Sequence, residues 1–123
     1  MSTLAFVALG SALGAPARYL LDGLIQSAHE RVLPWGTWTI NITGCFALGL
    51  LVGFADQGAV DARLMAAVAI GFLGAYTTFS TFTWETLRLV EDGSLLAAFL
   101  NVAVSTVVGL GAAAGGLALG ALW

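Results

Sequence analysis

Leu64-Met65-Ala66-Ala67-Val68-Ala69-Ile70-Gly71-Phe72-Leu73-Gly74-Ala75-Tyr76-Thr77-Thr78-Phe79-Ser80-Thr81-Phe82 is an unbroken run without a charged side chain. The hydrocarbon core of a bilayer takes about 20 apolar residues per helix. This stretch has that length, and the chain on either side repeats it: Thr37 to Phe54 upstream, Ser94 to Trp123 downstream, and Ser2 to Leu21 at the start. Among these runs only the first holds a charge, Arg18. It is not read as a signal peptide: it lacks a basic leader and ends in Pro16, Arg18 and Tyr19 instead of small residues. Barrel strands would alternate apolar and polar residues over about ten positions, a pattern the runs do not show. The expected fold is an all-α membrane protein with four transmembrane helices, at about 2–21, 37–54, 64–82 and 94–123. Together they form one unit over residues 1–123.

Composition agrees. Hydrophobic residues make up 59% of the 123 positions and charged residues 9%, against roughly 25% charged in a soluble domain. Lysine is absent, the basic residues are Arg18, Arg31, Arg63 and Arg88, and the net charge is -3. No basic patch points to nucleic acid, and no Cys/His cluster points to zinc. Cys45 has no second cysteine to pair with and reads as a small packing residue. The sequence offers no nucleophile–base pair or embedded carboxylate couple, so an enzyme is not expected.

Polar joints separate the runs: Asp22 to Gly36 with His29, Glu30, Arg31 and Pro34; Ala55 to Arg63 with Asp56 and Asp61; Thr83 to Gly93 with Glu85, Arg88, Glu91 and Asp92. His29 reads as a solvated loop residue. Trp35, Trp38, Trp84 and Trp123 all fall at run ends, where amphipathic rings favour the membrane interface. Arginine distribution normally sets orientation. Here Arg18, Arg31 and Arg88 lie to one side, and Arg63 with the terminal amine to the other. So small a bias lets the chain insert both ways round. A bundle this thin fills its own centre with side chains, which places any ion path between subunits and makes an oligomer the expectation. Glycines four apart (Gly10/Gly14, Gly49/Gly53, Gly111/Gly115, Gly116/Gly120) allow close helix contact within or between chains.

Polar groups inside hydrocarbon usually face a partner, the bundle interior or a path. Asn41 in the second run carries more hydrogen-bonding capacity than one neighbour satisfies. In the third run, Gly71 and Gly74 precede Thr77 and Thr78, a poor helix interior that predicts a local break. Carbonyls freed by such a break must be buried or must hold a cation. Phe79 and Phe82, three apart, share a face. In the fourth run, Asn101, Ser105 and Gly109 form a polar stripe. Interhelical glue explains these amides and hydroxyls as well as a path does. With no acid inside any run a proton or cation relay has nothing to work with, whereas neutral donors and aromatic edges suit a small anion that binds and then leaves.

Gly14-Ala15-Pro16-Ala17-Arg18-Tyr19, Gly36-Thr37-Trp38-Thr39-Ile40-Asn41-Ile42-Thr43-Gly44, and above all Gly71 to Glu85 with its Thr-Thr-Phe-Ser-Thr-Phe core, resemble the CrcB/Fluc fluoride channels over nearly the whole chain. The resemblance implies passive efflux of fluoride across the bacterial plasma membrane, lowering fluoride in the cytoplasm. It also implies an antiparallel, dual-topology homodimer with two pores at its interface. On that basis Asn41 is the pore amide, and Phe79 and Phe82 are the ring pair facing fluoride. Ser80, Thr81 and Ser105 are hydroxyl donors, and Arg18 is an entrance or structural charge. A structural sodium ion at the dimer centre would be held by the Gly74 and Thr77 carbonyls. Where some members carry a fourth-helix pore tyrosine, this chain has Asn101. The alternatives are a small four-helix multidrug or cation antiporter, which needs an embedded carboxylate, and a membrane scaffold subunit without transport.

Overall fold

Helices account for nearly all of the chain in the computed structural model, which describes residues 1–29 and 32–123. Glu30 and Arg31 of the first joint lie outside the described residues. Helices α1 (Thr3–Ser27) and α2 (Trp35–Asp56) form the first two apolar segments. The third, Ala62–Glu91, is composite: α3 (Ala62–Met65), a π-helical stretch (Ala66–Leu73), α4 (Gly74–Tyr76) and α5 (Ser80–Glu91). The last is α6 (Leu95–Gly120). All four segments are long and apolar enough to cross a membrane.

The helices outrun the hydropathy. The first apolar run ends at Leu21, but α1 continues to Ser27; the third ends at Phe82, but α5 continues to Glu91. Apolar runs mark where lipid stops, whereas the backbone keeps its hydrogen bonds into the polar interface. Most of the expected third joint, including Glu85 and Arg88, is therefore helical. The true turns are short and glycine-capped. After α2, Gly58 (φ 75°) donates its N–H to the Ala55 carbonyl at 2.9 Å, and Ala59 N–H reaches Phe54 at 3.0 Å. After α5, Gly93 (φ 76°) donates to Val90 at 3.0 Å and Ser94 to Leu89 at 2.8 Å. Both are Schellman caps, which need a left-handed residue that only glycine adopts without strain. Asp61 then caps the third segment by accepting from Leu64 N–H at 2.8 Å.

Small residues set the packing. Helices α2 and α6 lie backbone to backbone: a Cβ on Gly49 would overlap the Ala113 carbonyl, and one on Gly116 the Phe46 carbonyl. In the same way α1 presses on the π-helical stretch, with Gly10 against the Ala67 carbonyl and Gly14 against that of Phe72. Ser11 Oγ adds a hydrogen bond to the Gly71 carbonyl at 3.2 Å. Hydrocarbon provides little hydrophobic drive between helices, so such close backbone approach supplies the attraction. Gly111 and Gly115 meet nothing within 4 Å and face outward.

The small buried cluster is Ile40, Leu73 and Tyr76, with Phe72 stacked on Tyr76 at 5.7 Å. Trp38 departs from the expected interfacial belt: it is buried, whereas Trp35, Trp84 and Trp123 are exposed. The π-helical turns were not expected either. They insert extra backbone per turn in a stretch, Ala66 to Leu73, whose composition gives no sign of it.

Candidate functional site

The third segment breaks where the glycine and threonine pattern places it. Helix α4 ends at Tyr76, Thr77 turns extended (ψ 159°), and α5 restarts at Ser80. Asn41 holds the gap open. Its Nδ2 donates to the Thr78 carbonyl and its Oδ1 accepts from the Thr78 N–H, both at 2.8 Å. A backbone N–H can only donate, so the orientation of the amide is fixed. Asn41 thus stands in for the helical neighbours that Thr78 lacks. One of its two amide protons is used this way, leaving the second for a ligand.

The diverted amides release carbonyls. In an unbroken helix the Thr78 and Thr81 N–H groups would bond to the Gly74 and Thr77 carbonyls four residues back. Instead Thr78 N–H goes to Asn41, and Thr81 N–H goes to Thr78 Oγ1 at 3.1 Å. The Thr77 carbonyl accepts from Arg18 Nη1 at 3.1 Å, so Arg18 binds the break itself. A carbonyl has a second lone pair. Gly74 and Thr77 therefore offer neutral oxygen ligands of the kind that could hold a hard cation, two carbonyls being too few to complete a shell. Among the described residues no three His, Cys, Asp or Glu side chains gather as a metal site.

A groove of about 450 Å³ opens on the outer face of the break. Asn41, Phe79, Phe82 and Ser105 all line it, together with Gly74, Thr77 and Thr78 of the break. The two rings are 5.9 Å apart and tilted by 43°. Phe79 is 76% exposed, held out from the rest of the chain. Gly44 on α2 is needed here, because a Cβ would overlap the Thr77 methyl group. Helix α5 begins at the groove, and its N-terminal amides lend positive potential at membrane depth.

The remaining expected residues lie elsewhere. Thr81 lines a smaller cavity of about 230 Å³ on the other side of the break, with Arg18, Asp22, Thr37 and Thr78. Ser80 lines neither cavity; its Oγ stands 3.4 Å from Thr78 Oγ1. Asn101, expected on the path, is completely buried behind the groove. Its Oδ1 accepts from Trp38 Nε1 at 2.8 Å and its Nδ2 donates to Thr86 Oγ1 at 2.9 Å.

Sequence reasoning passed over Thr78 and Glu85. Thr78 lines both cavities and donates its hydroxyl to Thr81 Oγ1 at 3.0 Å. With hydroxyls at 77, 78, 80 and 81, spacing alone cannot single it out. Glu85 lies inside the helical segment, half-buried, and accepts from Thr37 Oγ1 at 3.0 Å. The apolar run still ends at Phe82 without an acid, and Glu85 lies one turn beyond it because the helix continues past the run. His29 stacks on Trp35 at 5.5 Å and donates from Nδ1 to the Ile25 carbonyl at 2.8 Å.

The sequence is similar over most of its length to a known family. Residues 5–117 match the family model described as CrcB-like protein, Camphor Resistance (CrcB). A protein of Streptomyces avermitilis named fluoride-specific ion channel FluC 1 is 47% identical over 118 residues, covering 95% of each chain. A Frankia casuarinae protein of the same name is 48% identical over 123 residues, again 95% of each. The fluoride-specific ion channel FluC of Solidesulfovibrio magneticus is 42% identical over 123 residues, covering 99% of this chain and 98% of its own.

Proposed function

This chain belongs to the CrcB family, and from that premise we propose that it is a fluoride channel, a multi-pass membrane protein that conducts and does not catalyse. Relatives named as fluoride-specific channels align end to end with it. The observation that carries the reading to particular residues is the groove, where an amide with a proton to spare, a ring pair and a hydroxyl converge at a helix break.

Fluoride is small and strongly hydrated, and a route for it must replace water donors without trapping the ion. Asn41 and Ser105 offer neutral N–H and O–H donors, and the edges of Phe79 and Phe82 carry partial positive charge. The α5 N-terminus adds potential without a fixed charge. Arg18, bonded to the Thr77 carbonyl, keeps its cation at the edge of the route instead of in it. Thr81 belongs to the cavity beside Arg18, which serves as an approach, and Ser80 acts through Thr78.

Only one wall of this route is built by one chain. The groove is open outward, and a second copy laid against it closes the path. That supports a homodimer, and the small bias of basic groups, three against two with the terminal amine counted, supports an antiparallel one with two equivalent pores. In such a pair the Gly74 and Thr77 carbonyls of both copies meet and would hold a structural sodium ion, which supplies a positive charge at the centre. The setting is the bacterial plasma membrane, where passive efflux lowers cytoplasmic fluoride.

The test is fluoride efflux from proteoliposomes with a potassium ionophore balancing charge. Fluoride is expected to leave rapidly and chloride far more slowly. Equal leak of both halides rules out the selective channel, and proton-coupled exchange of an organic cation would point to an antiporter.

A further inference from the structure

We infer that Asn101 is a positioning residue: it sets the Ser105 hydroxyl in the groove without touching the ion, an inference that rests on the groove being the fluoride route. Asn101 has no exposed surface and does not line the groove. Its amide orientation is unambiguous, because an indole N–H only donates. The atom 2.8 Å from Trp38 Nε1 is therefore Oδ1. Nδ2 points the other way, donating to Thr86 Oγ1 at 2.9 Å and to the Phe82 carbonyl at 3.5 Å. Thr86 Oγ1 in turn donates to the Phe82 carbonyl at 2.8 Å. One buried amide thus ties α2, α5 and α6 together just behind two groove residues, Phe82 and Ser105.

The contact with Ser105 differs from the others. Oδ1 spends one lone pair on Trp38 and offers the second to Ser105 Oγ, which donates across 3.4 Å. That distance lies beyond the usual range for O–H donors, so the hydroxyl is restrained and not locked. A hydrogen bond to an anion is roughly twice as strong as one between neutral groups. Fluoride in the groove therefore draws the Ser105 proton away from Asn101, and when the ion moves on the proton swings back. Neither state leaves the donor unpaired, which meets the need to bind an ion and still release it. Without Oδ1 the hydroxyl falls back on the carbonyl one helical turn behind, the usual resting place of a serine in a helix, and points along α6 instead of into the groove.

Trp38 is the second half of the device. Removing its N–H frees the Asn101 amide to turn over and present Nδ2 to Ser105 Oγ, so the hydroxyl becomes the acceptor and loses the Oδ1 that holds its proton between ions.

The experiment is a double-mutant cycle read by fluoride efflux from proteoliposomes. The variants are Asn101→Leu, Trp38→Phe and Ser105→Ala, singly and with Ser105→Ala combined with each of the others. Asn101→Leu is expected to slow efflux about tenfold, the value of one oriented hydrogen bond. Trp38→Phe is expected to slow it in the same direction. In the Ser105→Ala background neither should slow it further. Trp38→Phe keeps the ring's bulk, so its cycle decides the matter if Asn101→Leu does not assemble. A purely structural role predicts losses of equal factor in both backgrounds, tracking thermal stability in detergent, and that result overturns the inference. So does efflux unchanged by both single variants. Asn41→Asp, run alongside, separates the two readings: if it conducts normally, the groove is not the route and the inference falls with it. If Asn41→Asp is impaired and the cycle is additive, only the role of Asn101 is lost.

Discussion

Asn41 does two things at once, and its substitution separates them. Its amide closes on the Thr78 backbone in both directions and keeps one proton for the groove. Asn41→Asp retains an acceptor for the Thr78 N–H but sets a carboxylate oxygen against the Thr78 carbonyl and against any anion. Fluoride efflux should fall by about tenfold or more, with the elution position on size exclusion unchanged. Phe79→Ile tests the ring edge at little cost to folding, since the side chain is mostly exposed in the subunit. Efflux should drop while thermal stability stays close to that of the unmodified protein. Wild-type efflux in both variants would remove the site assignment.

At the scale of elements, the two glycine-capped turns and the glycine contacts carry different kinds of energy. Gly93 sits at φ 76° with nothing within 4 Å of where a Cβ would lie, so Gly93→Ala meets only backbone strain, about 1–2 kcal/mol. The expected result is a lower thermal midpoint in detergent with efflux unchanged. Gly14 is the opposite case, with no room at all: a side chain there strikes the Phe72 carbonyl and drives α1 off the π-helical stretch. Gly14→Leu should abolish monodisperse protein, whereas Gly111→Leu, on the open face of α6, should leave the subunit fold intact. Equal yields from both would contradict this packing. The break was legible in Gly74, Thr77 and Thr78, because weak helix formers at membrane depth leave few other readings. The π-helical turns were not, since Ala66 to Leu73 is an ordinary apolar sequence, and only the structure shows the stretch pressed against Gly10 and Gly14.

For the molecule as a whole, the groove with one open wall and the small charge bias, three basic groups against two, make a single prediction about orientation. Two lysines appended after Trp123 should hold the C-terminus on the cytoplasmic side, by the bias of basic residues toward that side. If antiparallel pairs are required, that variant alone should lose efflux. Co-expression with a variant biased the other way should restore it. Full efflux from the fixed-orientation variant on its own would mean that the pairing is parallel or unnecessary.

The sequence by itself determined the number of membrane segments, the place of the helix break and the family, because hydropathy, backbone propensity and motif spacing are local properties written residue by residue. Only the tertiary structure decided which polar side chains face the groove. Asn41 and Ser105 reach it, whereas Asn101, one helical turn from Ser105, is sealed behind it by Trp38 and Thr86. It likewise drew Glu85 into the helical segment and turned Trp38 inward. These outcomes depend on which partner lies across the helix interface, and no spacing along one chain carries that information.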